Sequence, residues 1–160
     1  MSWRSAFLLQ ARSDNNIRQQ LNVAKVEYCH QLHYLQMVTE KLAKALVTPE
    51  NATQPPAFSH AMFVSGLKAM KGRPDIRRLL GYDSFEQFRA AINSLLPLAD
   101  KIERLAPALA NGPNPEYPWQ TNLNSPVVAP VEFSFADFDL RKPQMAKLLQ
   151  IIDRLLVVLT

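Results

Sequence analysis

The chain has 160 residues, 48% of them hydrophobic and 20% charged, with a formal net charge of +4, 12 prolines and only 4 glycines. That length suits one domain around one core. So few glycines exclude a turn-dense sandwich or barrel, and also a glycine-rich phosphate loop of the Rossmann or P-loop kind. The expectation is therefore all-α: a single domain over 1–160, an up-and-down bundle of four to five main helices with a short extra helix and a long proline- and aromatic-rich loop before the C-terminal helix.

A first helix is predicted from Ser2 to Leu21, with Phe7, Leu8, Ala11, Ile17 and Leu21 on its apolar side and a polar interruption at Arg12 to Asn16. Asn22 is a suitable N-cap for a second helix reaching Val47, in which Val26, Cys29, Leu32, Leu35, Leu42, Ala45 and Leu46 recur at three- and four-residue steps. Pro49, Pro55 and Pro56 then break the chain, and Ser59 offers an N-cap for a third helix to Met70, ended by Gly72. Pro74 stands at the first position of a helix of one or two turns that runs through Leu80 and stops at Gly81.

Ser84 with Gln87 fits a capping box, and Phe85, Phe88, Ile92, Leu95 and Leu96 follow at helical spacing. Pro97 predicts a kink or two consecutive helices, because Leu98, Ile102, Leu105 and Leu109 carry the apolar stripe on to a stop at Asn111-Gly112. One loop, 111–135, then holds five of the twelve prolines, and a last helix starts at Lys142 or Pro143 and ends at Leu159. Such a loop is long for a connection between packed helices. Tyr117, Trp119, Phe133 and Phe135 are costly to leave in water, so they should pin it over the helices, with a short extended or hairpin-like piece within Val127 to Phe135. Tyr117 and Trp119 are its candidates for a lid or a partner-binding face.

The lone cysteine, Cys29, has no internal disulfide partner and falls where a small buried apolar residue is usual. No apolar run approaches the ~18 residues of a membrane span, so the expected location is the cytoplasm. His30 and His33 lie one helical turn apart, but neither they nor His60 belong to a metal-ligand pattern, and no metal or cofactor is expected. Charge is concentrated in Lys68, Lys71, Arg73, Arg77 and Arg78, opposed only by Asp75, while the rest of the chain carries thirteen basic and thirteen acidic residues. This segment is the candidate nucleic-acid or phosphate contact, or else a solvated surface turn.

The run YCHQLHYLQMVTEKLAKALV places Leu35-Gln36, Glu40-Lys41 and Lys44-Ala45 in order along the second helix, preceded by Ala11-Arg12-Ser13-Asp14 and followed by Ser59-His60, Phe63 and Leu67. These three segments, spanning Ala11 to Leu67, resemble the first helices of HEPN-superfamily domains, with Gln36, Glu40, Lys41 and Lys44 as the family-motif positions. Physically, Glu40 and Lys44 also form an i,i+4 pair in the favourable order, worth only a few tenths of a kcal/mol on an exposed face.

The resemblance implies a helical homodimer found in prokaryotic toxin–antitoxin or defence modules, with a minimal nucleotidyltransferase, RNA or a nucleotide as partner. HEPN ribonucleases carry an Arg followed four to six residues later by His. Here no His stands at that distance beyond any Arg, and the final helix has no histidine. The nearest imitation is Lys25 with His30. The reading is a non-catalytic HEPN-like binding protein. The alternative is a divergent metal-independent endoribonuclease in which Arg77, Arg78 or Lys25 cooperates with His30, His33 or His60 across a dimer.

Overall fold

The computed structural model describes residues 1–56, 59–106, 112–122 and 124–159. It is an all-α bundle of helices α1 (Trp3–Val23), α2 (Tyr28–Val47), α3 (Phe63–Met70), α4 (Pro74–Leu79), α5 (Phe85–Glu103) and α6 (Pro143–Val158). Two 3-10 turns, Pro130–Glu132 and Ala136–Phe138, precede α6. Among the described residues there is no strand, only an isolated antiparallel bridge between Trp119 and Val128. Helix α2 packs against α1 and α3, α3 against α5, and α6 closes on α5, α4 and α1.

Several ends follow local chemistry. Ser2 Oγ accepts the Ser5 N–H at 3.2 Å, and Ser84 Oγ accepts the Gln87 N–H at 3.1 Å, each satisfying a donor that an α-helix leaves free at its start. Pro74 opens α4, and Gly81, with φ of 78°, closes it. The Gly81 and Tyr82 N–H groups return to the carbonyls of Arg78 and Arg77, a Schellman closure in which glycine tolerates the left-handed position.

Two predicted starts are corrected. Helix α1 continues to Val23 and α2 begins at Tyr28, so Asn22 does not cap α2. Instead the Lys25 N–H bonds to Asn22 O and the Val26 N–H to Leu21 O, the same Schellman closure made around Lys25 at φ of 54°. Helix α3 begins at Phe63, and Ser59 Oγ accepts only the Ala61 N–H of a local turn. The cap of α3 comes from far along the chain, where Glu103 Oε1 accepts the Val64 N–H at 2.6 Å. Helix α5 runs unbroken from Phe85 to Glu103 with Pro97 on its exposed side, not as two helices. Leu109 and Asn111, expected to carry and stop the stripe, lie outside the described residues.

The core joins Leu32, Leu35 and Leu42 of α2 to Phe63 and Leu67 of α3, Phe88, Ile92 and Leu95 of α5, and Leu148 and Ile152 of α6. Helices α2 and α3 meet closely at Gly66, where an added Cβ would stand 2.8 Å from Ala43 Cβ, so only glycine fits that crossing. Cys29 is buried in this core, and burial pushes its thiol up from the ordinary range. Among the described residues, no helix is long and apolar enough to cross a membrane.

Candidate functional site

Gln36, Glu40 and Lys44 of α2 share one buried polar cluster, and Lys41 makes a separate ion pair. Helix α2 is sandwiched between α1 and α3, so polar residues on several of its faces lack solvent and must find partners inside. Glu40 Oε1 accepts from Lys44 Nζ at 2.6 Å, while Oε2 accepts from Gln36 Nε2 at 3.3 Å and faces His60 Nδ1 at 2.7 Å. Lys41 Nζ lies 2.7 Å from Asp14 Oδ2, and Asp14 Oδ1 accepts from Gln10 Nε2 at 3.0 Å. Lys44 also sits 5.7 Å from the centroid of the Phe7 ring. Two carboxylates thus balance two ammonium groups.

The Glu40–Lys44 pair, expected to be a surface pair, has side chains only 7% and 9% exposed. Burial pushes the Glu40 carboxyl up, but hydrogen bonds from Lys44 and His60 and their charges outweigh it, leaving the group below its ordinary range. His60 lies at the rim, with 53% of its side chain exposed. A carboxylate on Nδ1 orients an imidazole and leaves Nε2 as its other working nitrogen, the arrangement used where histidine moves protons.

The other histidines are placed apart from this group. His33 Nδ1 lies 3.6 Å from Glu116, His30 is exposed, and Lys25 belongs to the α1–α2 turn. Among the described residues no three His, Cys, Asp or Glu side chains gather as metal ligands.

The basic segment is divided by its own folding. Arg73 binds Asp75 through Nε at 3.0 Å and through Nη2, and this contact holds the Asp75 carboxyl down at about 2. Arg77 Nη1 donates to the carbonyls of Tyr82 and Asp83, tying down the turn after α4, and its guanidinium lies 5.2 Å from the centroid of the Phe85 ring. Arg78 Nε donates to Pro74 O at 3.2 Å, and Lys71 Nζ to Asn93 Oδ1 at 2.9 Å, while Lys68 is exposed. Arg89 enters from outside the segment: its guanidinium lies 5.4 Å from the centroid of Phe85, and its Nε donates to Lys71 O at 3.4 Å. In the sequence, the signal for Arg89 was its position four residues after Phe85 on the helix started by Ser84.

The loop before α6 is anchored by its own aromatics. Trp119 and Val128 exchange backbone hydrogen bonds at 3.1 and 2.9 Å, so the extended pair joins Trp119 to Val128 and starts earlier than the predicted piece at Val127 to Phe135. Trp119, Phe135 and Phe138 are buried, and Trp119 meets Phe133 edge-on at 5.2 Å. Asn114 Oδ1 accepts the N–H groups of Glu116 and Tyr117, forming a tight polar turn.

Trp119 is therefore an interior anchor, whereas Tyr117 is 55% exposed. Val127, Val131 and Phe133 accompany it outward at 66%, 58% and 39% exposure. Underneath, Tyr28 Oη donates to Phe138 O, and burial pushes the Tyr28 hydroxyl up. This contact fastens the loop to the start of α2.

Compared with known proteins, the chain matches no family model, no curated protein and no solved structure.

Proposed function

We propose that the chain is a non-catalytic HEPN-like helical protein that binds a protein partner through the outward face of the loop before α6. The observation that carries this reading is the set Tyr117, Val127, Val131 and Phe133, held outward on a segment whose own aromatic anchors are buried. Large apolar side chains in water are tolerated singly, but several on one ordered segment mark an interaction surface. A pinned loop also loses little further entropy on binding. The minimal nucleotidyltransferase as partner, and the toxin–antitoxin or defence-type setting, follow from the HEPN resemblance of Ala11 to Leu67.

The test is co-expression with a minimal nucleotidyltransferase, taken from the adjacent gene where one is encoded there, followed by light scattering of the purified material. Wild type should form a stoichiometric complex, and Val127→Asp with Val131→Asp should lose it while keeping the wild-type melting temperature. Retention of the complex by that double variant would refute the loop as the docking face. The same light-scattering run measures whether the free chain is a homodimer.

A second reading has its own observation. His60, half-exposed and oriented by the buried Glu40, is the histidine best placed for a divergent metal-independent ribonuclease. Cleavage of tRNA and mRNA in chelator, lost in His60→Ala but retained in His30→Ala and His33→Ala, would establish that reading against the non-catalytic one.

A further inference from the structure

We propose that the corner between α3 and α5 is a phosphate-binding surface, made by Lys68 and Lys71 at the end of α3 and Arg89 on α5, which takes the phosphodiester groups of single-stranded RNA. This surface is independent of the loop and its protein partner. It rests on which cations the fold engages and which it leaves open. Arg73 is neutralised by Asp75, Arg77 is occupied by two backbone carbonyls and Phe85, and Arg78, its Nε turned back to Pro74 O, rests on no aromatic ring among the described residues. Lys71 uses one of its three donors on Asn93. Arg89 directs only Nε inward, to Lys71 O, so its two terminal amino groups make no hydrogen bond to any described residue. Lys68 is exposed one turn before Lys71.

Stability accounts for part of this arrangement. Cations in the last turn of a helix offset the negative end of its dipole, which suffices for Lys68 and Lys71. It does not suffice for Arg89, which stands near the positive end of α5. Glu86, three residues earlier, forms no ion pair with it, and Asp83 also lies outside ion-pair distance of any described cation. A guanidinium resting 5.4 Å from the Phe85 ring centroid is restrained before any ligand arrives, and a guanidinium fork matches phosphate oxygens. Arg89 and Lys71 are joined through the Lys71 carbonyl, so their free donors border one surface shared by two helices.

The shared chemistry is the phosphate ester, which either an RNA backbone or a free nucleotide supplies. Fluorescence anisotropy of the full chain with labelled oligouridylate, competed by unlabelled RNA or by ATP, separates the two sources. Arg89→Gln and Lys71→Gln should each weaken RNA binding severalfold and lower the slope of log affinity against log salt by about 0.7, as expected when one phosphate contact to a single strand is removed. Arg73→Gln, which removes an already neutralised cation, should leave both quantities at wild-type values.

Displacement by ATP as effective per phosphate as by RNA would reassign the surface to nucleotides and overturn the RNA proposal. Absence of RNA binding, an unchanged slope in Arg89→Gln, or an equal loss in Arg73→Gln would overturn the site itself. Melting temperatures of all variants establish that each is folded, and Arg89→Lys, which keeps the charge but not the fork, should retain the salt slope with weaker affinity.

Discussion

Replacing Glu40 by Gln changes one oxygen to an amide nitrogen and removes the one carboxylate among the described residues that meets Lys44. The pair stands at 2.6 Å with both side chains more than nine-tenths buried. At an effective dielectric of about 20, two unit charges at that distance attract by about 6 kcal/mol before the cost of desolvating each ion is subtracted. The net worth of the intact pair is far smaller. Removing one partner, however, leaves the other charge buried and uncompensated, at a cost of ~3–5 kcal/mol. The Gln amide oxygen can still accept one hydrogen bond from Lys44, which places the expected loss near the lower end, about 3 kcal/mol.

For a chain of this size that lowers the melting temperature by roughly 6–12 °C. Lys44→Met, which keeps the stem and removes the charge, should also destabilise, because it takes the buried ammonium from Glu40 and leaves it Gln36 and the half-exposed His60. The double variant should be more stable than the sum of the two single losses predicts, by about 1.5 kcal/mol or more. Urea unfolding of the four proteins closes the cycle. A Glu40→Gln variant within ~0.5 kcal/mol of wild type, the size of an ordinary surface change, or strict additivity in the double variant, would refute a buried, energetically coupled pair.

Two further predictions follow from the loop and the ion pairs. Trp119→Ala should cost ~3–5 kcal/mol and diminish the near-ultraviolet circular dichroism, because the indole is an interior anchor, whereas Tyr117→Ala should change stability by less than ~0.5 kcal/mol. Asp75, held at about 2 by hydrogen bonding from Arg73, has a folded pKa below its unfolded one, so its contribution is complete above pH ~4 and is lost as pH falls through about 2. Asp75→Asn should flatten the pH dependence of urea stability in that interval, and an unchanged profile would count against the Arg73–Asp75 contact.

Much of this architecture is carried by neighbours in sequence. Three- and four-residue apolar spacing determines α2 and α5, because a helix buries one stripe whatever it packs against. Ser84 starts α5, Pro74 starts α4, and Gly81 ends α4 through local hydrogen bonds and backbone freedom. Of the four loop aromatics expected to pin it, Trp119 and Phe135 are buried as their cost in water requires, whereas Tyr117 and Phe133 stay outward.

Tertiary structure decided what depended on distant partners. Glu103 begins α3 from nearly forty residues away. A left-handed Lys25, not a glycine, ends α1, and no local residue preference announces that choice. The motif charges of α2 read from sequence as a surface pair, yet burial between two other helices makes Glu40 and Lys44 an interior pair completed by His60. The basic segment looked like one patch, but Asp75 and the carbonyls after α4 withdraw Arg73 and Arg77 from it, while packing of α3 on α5 supplies Arg89. Spacing along a chain determines which face of a helix is apolar. Only the assembled fold determines which charges meet, because their energies depend on the partner and on whether water can reach them.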